Sequence, residues 1–287
     1  MKNLPPFSRR RFLQAAAVTS AVLSLPLARA QNKNGANKER YDKKLFIPAD
    51  KPLRLAAVGC GGMGAGDITS LMKENERGEN VQLVALCDVD DTRAQKTFDQ
   101  YPDLPRFKDF RELLQKMGDR FDAVTVSTPD HMHFPIAMTM MQAKKHVYVQ
   151  KPLAHTIGEV RLMKKQAWDS GVVAAMGNQG HANEGTRLQY EWIRSGLIGN
   201  VREVHAWTNR PIWPQGVEDW YEAQDIPEAL DWDLWLGVSQ KRDYNAAYVP
   251  FKWRGYFEWG AGAIGDMAVH TLDAIFKALD LKGDCRV

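Results

Sequence analysis

From Leu53 onward the chain alternates between short apolar runs and stretches with helical spacing. The runs "LRLAAV" (53–58), "QLVALC" (82–87), "FDAVTVS" (121–127), "HVYVQ" (146–150) and "VVAAMG" (172–177) predict strands. Segments around 64–76, 109–117, 133–144 and 156–170 recur at helical period and predict helices between them. The strand runs are continuously apolar rather than alternating, as expected for strands covered on both faces. This order predicts an α/β fold, with a doubly wound parallel sheet over roughly 50–177.

The texture changes after Gly177. A helix is predicted over "EGTRLQYEWIRSG" (184–196) and a strand over "VREVHAWTNR" (201–210). A tract rich in Trp, Pro and Asp follows over 211–261, then a final helix over about 262–280. Eight of the nine tryptophans lie after residue 190. They supply either flat walls for sugar rings or anchors for a loop-rich core, and residue type does not separate the two. On the last helix, Ile264, Ala268, Leu272, Ile275 and Leu279 form an apolar stripe. Asp266, His270, Asp273 and Lys277 form the opposite one, which periodicity reads as solvent-facing.

The first strand runs into glycines in "LRLAAVGCGGMGAGDITSL" (53–71). Gly59-x-Gly61-x-x-Gly64 matches the dinucleotide fingerprint, with Gly62 and Met63 completing the turn. The first glycine permits a tight turn, the second a close approach of backbone to a pyrophosphate, the third close packing of helix on strand. The helix opening near Met63 offers free N–H groups to phosphate. Asp88 closes the second strand, where a carboxylate suits the ribose hydroxyls of NAD and repels the 2′-phosphate of NADP. A solvated turn acid is the plainer alternative for Asp88.

The first 30 residues carry Lys2, Arg9, Arg10, Arg11 and Arg29 and no acid. They account for the net charge of +3, because the remainder holds 33 basic and 35 acidic residues. A near-neutral body gives no support for a nucleic-acid partner. The apolar stretch over 15–28 is too short to span a bilayer comfortably, and Ala28-Arg29-Ala30 fits a cleavage site. "SRRRFLQ" (8–14) reads as a twin-arginine export signal, which predicts a periplasmic protein. Residues 31–51 are polar and read as a linker. Three cysteines, Cys60, Cys87 and Cys285, make no disulfide framework, and no His/Cys/carboxylate cluster has metal-ligand spacing.

Several segments carry a family likeness. "STPDHMHFPIAMTMMQAKKHVYVQKPLAHT" (127–156) and "GAIGDMAVHTLD" (262–273) resemble the Gfo/Idh/MocA family, relatives of glucose–fructose oxidoreductase and inositol dehydrogenase. "GNQGH" (177–181) and "REVHAWTNRPIWPQG" (202–216) resemble an exported branch of that family. The likeness covers nearly everything from residue 53 onward. It implies a Rossmann NAD-binding domain over 52–177 and an α+β open-sheet substrate domain over 178–287. So few strand candidates after residue 200 predict that this second domain is incomplete. A homo-oligomer is expected of the full-length protein.

The resemblance implies redox chemistry at a hydroxyl of a sugar, polyol or glycoside. Lys151, Asp266 and His270 are the implied catalytic residues. Thr128, Pro129, His133, Gln150, Asn178 and Gln179 are implied to line the cofactor or substrate. The family's Glu-Lys-Pro reads Gln150-Lys151-Pro152 here, which removes a negative charge beside the lysine. Three functions fit: a sugar oxidoreductase holding NAD tightly, a redox-neutral glycoside-cleaving enzyme, and a non-catalytic nucleotide-binding scaffold.

Overall fold

A computed structural model describes residues 41–210, 212–215 and 220–281. The predicted leader, most of the linker and Cys285 lie outside the described residues.

Six strands form one sheet: β1 (Leu53–Val58), β2 (Val81–Cys87), β3 (Arg106–Phe107), β4 (Ala123–Val126), β5 (His146–Gln150) and β6 (Ala174–Gly177). Their order is β3-β2-β1-β4-β5-β6, and every pairing is parallel. This is the doubly wound α/β arrangement the strand pattern predicts. The order in which successive strands are added reverses between β1 and β4, and open α/β sheets bind ligands beyond the strand C-termini at such a point. The paired register sets Val58 opposite Cys87 on one side and Val126 on the other.

The covering helices are α1 (Met63–Lys73), α2 (Asp91–Gln100), α3 (Phe110–Met117), α4 (Asp130–Gln142) and α5 (Ile157–Ser170). Asp90 caps α2 by accepting from Arg93 N at 3.0 Å, and a Thr156–Glu159 capping box starts α5. One face of the sheet packs Ile68, Ala94 and Phe98. The other packs Leu113, Phe121, Ile136, Met140 and Met163. Cys60 and Cys87 are buried free thiols. Part of the predicted linker is docked on the domain: Leu45 packs on the core and its carbonyl lies 2.9 Å from His146 Nε2.

The tryptophan-rich tract forms a third core of Trp232, Trp235, Tyr244, Tyr248, Trp253, Tyr256 and Trp259, all buried. Trp232 stacks on Trp235 at 4.7 Å within the short helix α7 (Trp232–Leu236). Backbone bonds fix this core to the sheet's C-terminal edge: Asp231 N donates to Val89 O at 2.9 Å and His131 N to Trp259 O at 3.2 Å. Helix α6 (Glu184–Arg194) packs on the chain's last described helix, α9 (Asp273–Leu279).

Three expectations change. The predicted strand over 201–210 pairs with no other strand among the described residues. The last helix is two, α8 (Gly262–Thr271) and α9, broken at Leu272. On α8 the polar stripe is not simply the solvent side: Asp266 is 4% exposed while Ile264 is 78% exposed, although Lys277 on α9 does face solvent. No described helix is long and apolar enough to cross a membrane.

The glycine turn yields a paired test. A Cβ on Gly64 would sit 1.9 Å from Gly59 O, whereas one on Gly66 would meet nothing within 4 Å. Gly64→Ala is expected to cost about 1–3 kcal/mol by overpacking. Gly66→Ala is expected to stabilise the helix by about 0.5–1 kcal/mol. Denaturant titration of both variants checks the contrast, and equal effects refute it.

Candidate active site

A cleft of about 610 Å³ runs along the strand C-termini beneath the aromatic core. Its floor holds Gly59, Gly61, Met63, Asp88, Thr128 and Pro129, and Gln150, Lys151 and Asp266 line it further along. Nine of the residues singled out from the sequence thus line one cleft. Gly62 forms the N-cap of α1 at φ +51°, and Gly64 packs beneath the turn.

The glycine turn is held from both flanking strands. Gly59 N donates to Cys87 O and Ser127 N to Val58 O, each at 2.8 Å. A side chain on Gly59, at φ +83°, would also meet Ser127 O at 2.5 Å. No side chain caps the N-terminus of α1, although Gly64 N already donates to Gly61 O at 3.0 Å. Such an end suits an anion. Asp88 Oδ2 accepts from Cys60 N at 2.7 Å and Gly61 N at 3.2 Å, while Oδ1 accepts from Asp90 N at 3.0 Å. Burial raises its pKa. Asp88 is therefore no solvated acid; it braces the turn, and Oδ1 retains acceptor capacity for a hydroxyl. An uncapped helix, a glycine cradle and this acid fit a dinucleotide.

Lys151 directly follows β5. Its Nζ lies 2.7 Å from Asp266 Oδ1 on α8, with the two side chains 14% and 5% exposed. The negative partner missing at position 150 therefore comes from Asp266, 115 residues away. Asp266 Oδ2 is buried without a hydrogen-bond partner.

Gln150 has a different task. Its Nε2 donates to both oxygens of Asp67 at 2.9 Å, and Ser127 Oγ donates to the same carboxylate at 2.7 Å. Gln150 Oε1 accepts from Gln179 Nε2 at 3.1 Å and Lys151 N at 3.3 Å. His270 Nδ1 lies 3.2 Å from Gln179 O. A carbonyl can only accept, so Nδ1 carries the proton and Nε2 of the neutral ring holds the lone pair. Burial lowers the His270 pKa, with the Lys151 charge acting the same way.

His133 and Asn178 stand behind the cleft, whereas Gln179 and His270 lie beside it, next to the Gln150 and Asp266 that line it. His133 is buried between Pro152 O at 2.7 Å and Thr128 O at 2.8 Å, joining the two proline turns. Asn178 Nδ2 donates to Val269 O at 3.1 Å. Gln179 and His270 meet through the contact above. Two cleft neighbours carry no sequence motif: Asp67, hidden inside α1, and Arg254, within the aromatic tract.

This site and sheet define a nucleotide-binding oxidoreductase fold. The profile for the oxidoreductase family with an NAD-binding Rossmann fold, GFO_IDH_MocA, matches residues 53–178, and that for its C-terminal α/β domain matches 193–286. The chain belongs to the Gfo/Idh/MocA family and carries its NAD-binding Rossmann fold. It is 32% identical over 167 residues to glycosyl hydrolase family 109 protein 2 of Shewanella sp. (strain ANA-3), covering 54% of this chain and 35% of that protein. It is 29% identical over 165 residues to an alpha-N-acetylgalactosaminidase of Shewanella oneidensis, covering 53% and 35%. The matched stretch thus spans about a third of these relatives' length. An inositol dehydrogenase homologue from Azotobacter vinelandii, solved with NADH and myo-inositol, is 25% identical with a TM-score of 0.47, covering 55% of this chain and 43% of that one.

The Asp67–Gln150 contact predicts the outcome of restoring the family's glutamate. Gln150→Glu sets two carboxylates against each other, so one must bind a proton. That raised folded-state pKa keeps stability at low pH and loses it as pH rises. Thermal unfolding of Gln150→Glu is expected to show a larger deficit at pH 8 than at pH 5. Adding Asp67→Asn should recover most of the loss. A pH-independent deficit that Asp67→Asn leaves untouched excludes this account.

Proposed function

We propose that this protein is an NAD-dependent enzyme acting on a hydroxyl of a sugar, polyol or glycoside. The observation that carries the reading is the Lys151–Asp266 ion pair, at 2.7 Å, in the same cleft as the glycine turn. Bound NAD supplies a hydride acceptor. Lys151 Nζ donates to the reacting oxygen and stabilises charge developing there. Asp266 holds that ammonium in place, and His270 Nε2 takes the hydroxyl proton.

A second reading rests on the relatives named as family 109 glycosyl hydrolases and as an alpha-N-acetylgalactosaminidase. Oxidation of a ring hydroxyl to a ketone acidifies the neighbouring C–H, which eases elimination of the glycosidic group. Water then adds and the hydride returns, so the whole is redox-neutral. Both readings share the first step and the residues given to it. We further propose export by the twin-arginine leader, with NAD bound beforehand and retained. That proposal also favours redox-neutral turnover, because a captive cofactor must be recharged in place.

Three outcomes are expected. Lys151→Met lowers kcat/KM by roughly 10²–10⁴-fold while NAD content holds, the range for loss of a positioned acid–base group. A scaffold protein would show no turnover to lose. The acid limb of kcat/KM falls below the ordinary imidazole value of about 6.5, because the neutral base persists to lower pH. An acid limb above that value excludes His270 as the base. Heating the purified exported protein releases about one nicotinamide nucleotide per chain; a nucleotide-free supernatant refutes the captive cofactor.

A further inference from the structure

Arg254 is a partly buried cation with few partners. Its side chain is 25% exposed and lines the cleft. Among the described residues, its guanidinium makes one hydrogen bond, from Nη1 to Phe251 O at 3.4 Å. Its Nε stands 3.8 Å from Asp266 Oδ1, too far for a hydrogen bond, and that oxygen is already taken by Lys151 at 2.7 Å. A guanidinium carries five donors in a planar fork. Most of that fork is unused.

The fork is nonetheless firmly aimed. The guanidinium lies 4.2 Å from the centre of the Trp253 ring and 4.8 Å from that of Phe251. A Cβ on Gly260 would approach Arg254 Cα to 2.6 Å, so the backbone beneath it has no slack. Preorganised stacking with open donors is how proteins present arginine to a carboxylate or phosphate.

The local charge count points the same way. Lys151, Arg254 and Arg210 line this part of the cleft, against Asp130 and Asp266. Asp266 serves Lys151, and Asp130 Oδ2 accepts from Ala261 N at 2.9 Å. The bases around Arg254 thus outnumber the acids by one, although the whole lining balances at six of each, and Arg254 sits beside the lysine assigned to the reacting hydroxyl.

We propose that Arg254 recognises a carboxylate on the substrate, so that the sugar is a uronic acid or a glycoside of one. This rests on the sugar reading above and narrows it. The carboxylate takes the fork in bidentate fashion while a ring hydroxyl faces Lys151. The cofactor's diphosphate is the other source of such an anion, and the test separates the two.

The NAD-loaded protein is titrated by calorimetry with glucuronate and galacturonate, and in parallel with glucose and galactose. At least one uronate should bind at least 10-fold more tightly than its neutral counterpart, with the advantage shrinking as salt rises. Arg254→Met, which keeps much of the apolar stem, should remove that advantage. It should leave neutral-sugar affinity within about twofold and NAD content unchanged. Arg254→Lys should fall between, having charge without the fork. Equal or weaker binding of both uronates overturns the proposal, as does failure of all four sugars to bind. Loss of NAD on Arg254→Met, with the protein folded by circular dichroism, also overturns it and assigns the arginine to the diphosphate. If a variant fails to fold, the wild-type comparison decides alone. Nicotinamide absorbance keeps the two readings apart. Uronate binding with no change near 340 nm, the usual reduced-nicotinamide band, upholds carboxylate recognition and counts against redox chemistry. An absorbance change with neutral sugars alone does the reverse.

Discussion

The buried pair of Lys151 and Asp266 ties the end of a sheet strand to a helix 115 residues later in the chain. Both charges are largely withdrawn from water, at 14% and 5% side-chain exposure. Removing one partner of such a pair leaves an uncompensated buried charge, typically at roughly 3–5 kcal/mol. The pair therefore constrains more than a contact. It joins α8 to the strand ends inside the cleft that both residues line. It also consumes the oxygen of Asp266 that Arg254 would otherwise claim, which leaves the arginine fork open.

The aromatic tract supplies the rigidity that lets an ion pair act over such a sequence distance. Trp235 and Trp259 meet edge to face at 5.1 Å, and Tyr248 and Tyr256 at 5.2 Å. Arg242 lies 3.3 Å over the Trp220 ring and binds both oxygens of Glu258, at 2.6 and 2.9 Å. The sequence left these tryptophans open between sugar walls and core anchors. Burial of Trp232, Trp253 and Trp259 places most of them in the core, while Trp235 and Trp253 also show an edge to the cleft. The polar ties are to backbone: His131 Nε2 lies 3.0 Å from Trp235 O, and Lys108 Nζ donates to Ala229 O at 2.9 Å. This loop-rich segment, which forms no sheet among the described residues, is thus held by ring packing and by side-chain donors borrowed from the sheet domain.

What could be read from the sequence follows from the range of the forces involved. Continuous apolar runs gave β1 and β5 to the residue, because burial on both faces leaves a local signature. Helix α2 escaped notice: "DTRAQKTFDQ" is mostly polar and turns little beyond Ala94, Thr97 and Phe98 inward. The two-residue strand β3 is too short to carry a period. The stripe on α8 misled because amphipathicity shows two faces without telling which neighbour each meets. Asp266 shares its stripe with His270 on one helix, whereas its ion-pair partner is Lys151, just past the end of β5. Asp67 and Arg254 had no local signal at all. Their significance comes from what the fold brings opposite them.

Gln150 shows how a change of one charge is absorbed by distant residues. A glutamate there would face the buried carboxylate of Asp67, whose pKa burial already raises. The amide instead donates on one side and accepts on the other, so a neutral group joins Asp67 to Gln179 and to the Lys151 backbone. Only one orientation of the amide satisfies these partners, because a carboxylate needs the NH₂ end. The chain of contacts therefore has a direction. It runs from α1, which opens at the glycine turn, through β5, to the Gln179 carbonyl that fixes the tautomer of His270. The glycine turn that fits a dinucleotide and the residues proposed to handle the hydroxyl proton are thus coupled through hydrogen bonds that carry no net charge of their own at position 150. The countercharge for Lys151 is delivered separately, from α8, and position 150 is free to set geometry alone.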